Sequence, residues 1–188
     1  MVRSLGRALI ASLLIASVRG DLQLVPKVDE YELDGAKMKQ LAFADGGQKV
    51  TYQSPRSWNY SGSATQLTLH PPAKTQAEAT ITRLSFSEPG KFDDESLKKL
   101  VAEAVALVPK GSANVTVVSQ DKNPLHINGK ETFLVILTYG FYGETFGRSI
   151  LFVNRGKEQI RSQLTCRQSD FKELHQAFLG SQYSWQNL

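Results

Sequence analysis

Chemistry in a chain of this size needs a nucleophile beside a base, a set of metal ligands, or a cradle for phosphate, and this chain offers few residues for any of them. The three histidines, His70, His126 and His175, lie far apart, and none has a second ligand at zinc-binding spacing. His175 falls on the apolar side of a helical pattern with no nucleophile motif beside it, which predicts a half-buried structural imidazole in preference to a catalytic base. Asp93, Asp94 and Glu95 form an acidic run, but they stand where a helix begins, and the helix dipole alone favours acids there. Gly129-Lys130 lacks the earlier glycine and the following hydroxyl of a phosphate loop, and no serine stands in a nucleophile elbow. The single thiol, Cys166, alternates with Ile160 and Leu164, which predicts an inward-facing Cys acting as a small hydrophobe. Asn59-Tyr60-Ser61 and Asn114-Val115-Thr116 fit the N-glycosylation pattern, which matters only in a host that glycosylates exported proteins. The sequence therefore predicts no catalytic residue, no metal site and no cofactor.

One stretch has the composition of a contact surface. Gly140-Phe141-Tyr142-Gly143-Glu144-Thr145-Phe146-Gly147 sets aromatics among glycines between two strand patterns. The glycines suit hairpin geometry, and the rings either fold back to cap the core or stand at the tip. Aromatic side chains on a rigid tip lose little conformational entropy on binding, so Phe141 and Tyr142, if exposed, are the candidate partner contacts.

The elements that position these residues follow from periodicity. Phe133, Val135, Leu137 and Tyr139 point one way and Leu134 and Ile136 the other, so both faces of this strand need cover. Phe146 to Val153 repeats the pattern, with Ile150 and Phe152 opposed to Leu151 and Val153. In the third strand Ile160, Leu164 and Cys166 share a face while Gln159, Arg161, Gln163 and Thr165 share the other, which predicts one wet side and a sheet thinning toward solvent. A closing helix begins at Ser169, carries Phe171, Leu174, His175, Phe178 and Leu179 on one face, and is expected to stop at Gly180. Upstream, Leu41, Phe43, Val50 and Tyr52 flank Asp45-Gly46-Gly47 as a hairpin, and Pro55 breaks the pattern before Trp58, which should pack under the sheet. Strands are also predicted around Leu67 and Leu69, from Ala79 to Phe86, and from Val115 to Val118. Phe92 to Val108 has helical spacing, with Asp93 as cap, a Phe92–Leu97 staple, and Pro109 and Gly111 at its end.

Length and charge bound the function. At 188 residues and 41% hydrophobic content the chain can bury one substantial core. The formal charge of +4 owes three units to Arg3, Arg7 and Arg19 in the first twenty residues, which hold no acid; the remaining 19 basic and 18 acidic residues leave +1. That balance argues against a nucleic-acid partner. Residues 1–20 combine a basic start, an apolar run from Ala8 to Val18 and small residues at Val18 and Gly20, which reads as a secretory signal peptide; an organelle transit peptide is the alternative. The run is short for a membrane span, so none is expected after cleavage. Residues 21–37 read as an extended lead-in and 38–188 as one domain.

The hairpin before Pro55-Arg56-Ser57-Trp58, the helix from Phe92 to Val108, the Asn128-Gly129 turn, the three-strand meander and a closing helix ending near Ser184-Trp185 together resemble the PsbP-like family, over roughly residues 38 to 186. That fold is shared by the extrinsic PsbP subunit of photosystem II, a Ran-binding nuclear protein and several exported bacterial proteins. The resemblance implies an α+β fold, a single-domain α/β/α sandwich with a central antiparallel sheet flanked by helices. It also implies action by binding a partner or supporting an assembly, since the family has no active site to carry over. The expectation is thus an exported, non-enzymatic protein, periplasmic, extracellular or in an organelle lumen, with an unknown protein partner and an open oligomeric state. The competing class is a small-ligand binder or weak hydrolase with a pocket between sheet and helix. Export predicts that the intact mass of the extracytoplasmic protein corresponds to cleavage near Gly20; a full-length cytosolic species would refute it.

Overall fold

The computed structural model describes residues 21–188; the signal peptide expected over residues 1–20 lies outside them. Among the described residues ten strands form two antiparallel sheets. The smaller contains β1 (Leu22–Leu33), β2 (Ala36–Asp45) and β3 (Gln48–Tyr52) in the order β1-β2-β3. The larger has seven strands: β4 (Asn59–Gly62), β5 (Gln66–His70), β6 (Glu78–Ser85), β7 (Ala113–Lys122), β8 (Thr132–Phe141), β9 (Glu144–Arg155) and β10 (Glu158–Arg167), in the order β4-β5-β6-β10-β9-β8-β7. Two helices, α1 (Asp94–Ala106) and α2 (Gln168–Ser181), complete an α+β fold, with a short 3-10 turn at Gln182–Ser184. Among the described residues no helix is long and apolar enough to cross a membrane.

Strands β8 and β9 are buried on both faces, as their sequences require, and the two faces feed two cores. On one face Phe133, Val135, Leu137, Tyr139, Ile150 and Phe152 pack with Leu100 and Ala104 of α1 and with Phe92 and Val108 on either side of it. On the other, Leu134, Leu151 and Val153 join Ile160, Leu164 and Cys166 of β10, and this core is closed by α2 (Phe171, Leu174, Phe178) and the smaller sheet (Leu41, Phe43, Val50, Tyr52). Trp58 lies in that core, stacked on Phe178 with ring centroids 6.2 Å apart. Each such fully buried Leu or Phe contributes about 1.5–3 kcal/mol.

The smaller sheet is fastened to the larger by charge and by a hydrogen-bonded cluster. Asp45 of β2 pairs with Arg155 of β9, Arg155 with Glu158 of β10 at 2.7 Å, Glu158 with Arg83 of β6 at 3.0 Å, and Arg83 with Asp21 at 2.8 Å. Asp45 and Arg155 are almost fully buried. The Tyr52 hydroxyl lies 2.6 Å from Ser181 Oγ, and Gln182 Oε1 accepts from Ser162 Oγ at 2.9 Å and Trp185 Nε1 at 3.1 Å. Thr51 and Gln186 exchange backbone hydrogen bonds.

Four expectations change. Strand β10 does not thin the sheet toward solvent: it lies between β9 and β6, and two further strands continue beyond β6. Its polar side is partly covered, with Gln159 buried and Arg161 bonded to Glu103 of α1 at 2.8 Å. Residues 21–37 are extended, yet they hold all of β1 and the start of β2, and β1 pairs with β2 from Leu22↔Asp45 to Leu33↔Ala36. The exposed strand β4 arises where Pro55 suggested only a break. Helix α2 runs through Gly180, whose φ is not positive, and ends in the 3-10 turn instead. The charge chain generates a direct test: Arg155→Met leaves Asp45 buried without its cation and should cost about 3–5 kcal/mol in urea denaturation, whereas the exposed-pair variant Lys99→Met should change stability by less than about 1 kcal/mol.

Candidate functional site

The β8–β9 hairpin ends in a two-residue turn, Tyr142-Gly143, with φ of 49° and 79°. Both central residues have positive φ, the requirement of a type I′ turn that matches the strand twist. Glycine meets it at no cost, whereas Tyr142 takes up a left-handed conformation uncommon for an aromatic residue. The turn holds Tyr142 almost fully in solvent, 91% exposed. Phe141 is half-buried, rests on the α1-side core and meets the Tyr142 ring at 4.3 Å between centroids. Phe146 turns inward and stacks on Tyr139 at 5.7 Å. Of the three aromatics singled out in the sequence, one is therefore displayed, one supports it and one belongs to the core.

Below the tip the hairpin is held from both sides. Glu144, paired with Phe141 across the strands, forms a two-point ion pair with Arg167, whose Nε and Nη2 donate to its carboxylate oxygens at 2.7 Å each; Arg167 Nε also reaches Gln76 Oε1 at 2.7 Å. Arg167 borders a polar cavity of about 290 Å³ lined by Lys74, Gln76, Ser169 and Asp170, in which Lys74 bonds Asp170 at 2.6 Å. On the α1 side Arg148 is buried, with no carboxylate paired to it among the described residues. It donates to Thr165 Oγ1 at 2.9 Å, to Tyr139 Oη at 3.4 Å and to the carbonyl of Leu107, the residue that ends α1. A cation at a helix C-terminus is favoured by the dipole and satisfies an orphan carbonyl. Burial nonetheless pulls the Arg148 guanidinium below its ordinary pKa and pushes the Tyr139 phenol up. At Gly147 an added Cβ would lie 2.5 Å from the Phe171 ring, so α2 approaches β9 through the space a side chain would fill.

The other candidates are dispersed. His70 and His126 are exposed on separate strands and loops; His175 is half-buried, stacked on Phe171 at 5.0 Å, and burial lowers its pKa. Among the described residues no group of three or more His, Cys, Asp or Glu side chains converges as a metal site. A cavity of about 620 Å³ does open between α1 and the loop after β6, over Gln159. Its charged groups are largely engaged: Glu95 with Lys99, Glu103 with Arg161, and Asp93 with the backbone N–H of Ser96 as the N-cap of α1. The Arg167–Glu144 clamp escaped sequence reading because its two residues are 23 positions apart and neither belongs to a motif.

No model of a known family matches the chain, and no curated protein matches it. Solved structures do. Cyanobacterial PsbP (CyanoP) from Synechocystis sp. PCC 6803 superposes with a TM-score of 0.53 at 8% identity, covering 95% of this chain and 97% of its own. A Pseudomonas aeruginosa protein of unknown function gives 0.46 at 15% identity, over 84% and 94%. LpqN, involved in cell envelope biogenesis of Mycobacterium tuberculosis, gives 0.47 at 11% identity, over 72% and 81%.

Cys166 is fully buried, as its alternation required, and burial pushes its thiol up to about 12. Native protein should therefore resist a thiol reagent at pH 8 for hours and react within seconds in urea; rapid labelling of the native state would contradict the packing described. The chain, alike to PsbP over nearly its whole length and without its sequence, has a PsbP-like fold.

Proposed function

We propose that the protein is an exported, non-enzymatic module that binds another protein, with the layered α/β/α arrangement as scaffold and the β8–β9 hairpin tip as the contact. Export rests on the signal-like residues 1–20; the PsbP-like fold that follows takes in β1 within residues 21–37 as well as 38–188. The observation that carries the reading is Tyr142, an aromatic held in solvent by a tight turn whose strands are buried on both faces. The turn fixes the backbone at Tyr142, and an aromatic side chain with two χ angles has little freedom to lose on binding. Phe141 beneath it and the exposed Glu144–Arg167 pair beside it supply the apolar base and polar rim usual at such contacts.

The test separates the two rings. Tyr142→Ser should leave the urea midpoint unchanged and weaken partner capture from the extracytoplasmic fraction at least tenfold, the loss expected of a hot-spot aromatic. Phe141→Ser should cost about 1–2 kcal/mol of stability, since it removes half-buried apolar surface. Unchanged capture by the Tyr142→Ser protein would remove the hairpin as the contact.

A further inference from the structure

The cleft of about 620 Å³ between α1 and the loop after β6 has a fixed wall and an incompletely bonded floor. The loop is pinned to the β9–β10 turn: the Phe86 N–H donates to the Lys157 carbonyl at 2.7 Å, and the Gly90 N–H to that of Gly156 at 3.0 Å. At Gly90 an added Cβ would lie 2.6 Å from Asn154 Oδ1, so the loop passes there only as glycine. Gln159 of β10 forms the floor and is 3% exposed. Its Nε2 donates to Asn154 Oδ1 at 3.0 Å, but its Oε1 finds no donor among the described residues. A buried acceptor without a partner carries a desolvation cost that a bound donor removes. Phe86 at the lip is 44% exposed, and Leu100 of α1 lines the same cleft. Its charges do not balance. Glu95 pairs with Lys99, Glu103 with Arg161, and Asp93 is drawn to Lys91, whereas Glu88 has no cation beside it among the described residues.

We propose that this cleft binds a small aromatic amine. An ammonium group brings both the donor that Gln159 lacks and the charge that Glu88 lacks, and a ring attached to it covers Phe86. Water can donate to Gln159, yet it leaves the Phe86 ring uncovered and Glu88 without a counter-charge. An anion is disfavoured: the N-terminus of α1 would ordinarily attract one, but Asp93, Asp94 and Glu95 already hold its first turn. The volume is usual for a small-ligand site, and the pinned loop leaves little to order on binding. The cleft lies at the end of β9 remote from the hairpin tip, at Asn154 instead of Glu144, and does not depend on the role proposed for the tip.

NMR titration of the full chain tests the proposal with three probes: 2-phenylethylamine, 3-phenylpropionate, which keeps the ring and reverses the charge, and n-butylamine, which keeps the charge and lacks the ring. The aromatic amine should bind with a Kd of about 1 mM or tighter and shift the amides of residues 86–103, and the other two should bind at least about tenfold more weakly. Phe86→Ser, at an exposed position, should weaken the aromatic amine about tenfold with the urea midpoint held. Gln159→Leu, which removes the unpaired acceptor, should weaken it as well; if that variant does not fold, Glu88→Gln takes its place, with a loss that shrinks as salt is added. The proposal fails if 2-phenylethylamine does not bind, if either control binds as well as it does, if the shifted amides lie elsewhere, or if binding is indifferent to the substitutions.

Discussion

Two neighbouring strands that are apolar on both faces set the terms for this fold. Val135 and Ile150 cannot be covered by whatever covers Leu134 and Leu151, so β8 and β9 must lie inside a sheet with material on each side. Helix α1 serves one side. The other is wider, because β10, β6 and β5 add Ile160, Ile81 and Leu67 to it, and α2 needs the smaller sheet beside it to close the surface. The buried chain from Asp45 to Arg83 lies where the two sheets meet. Ion pairs so placed are weak sources of net stability, but a mismatched docking would leave buried charges unpaired, which favours a single register.

Where local chemistry was unambiguous, it was also sufficient. The period of two in β8 and β9, the helical spacing of α1 with its Asp93 cap, and the glycines of the β2–β3 turn all appear as read. The departures share a cause, which is that each was settled by a partner distant in sequence. The alternation of β10 looks like a sheet edge until β6 is laid against it, and no local signal announces that pairing, since β6 and β10 are separated by a helix and three strands. Strand β1 resembled a lead-in because its outer half is exposed and charged; only its register with β2 makes it a strand. Gly180 should have ended α2 by propensity, but Ser181 and Gln182 are fixed by Tyr52, Ser162 and Trp185, and that network carries the helix past the glycine.

The hairpin that carries the candidate contact was legible in outline. The aromatic and glycine content of 140–147 identified the hairpin, whereas which ring would be displayed depended on a pleat that sends Phe146 toward Tyr139 and leaves Tyr142 on the turn. The likeness to cyanobacterial PsbP covers 95% of the chain at an identity that carries no residue across. A fold shared at 8% identity brings no role with it.

The contacts that close the smaller sheet also order events in time. Tyr52 meets Ser181 across 129 residues, Gln53 meets Ser184 across 131 and Thr51 meets Gln186 across 135. The inner strand of that sheet is thus completed by residues far along the chain from it. A sheet closed by contacts of such long separation forms slowly, because the closure entropy is lost before the contacts return anything.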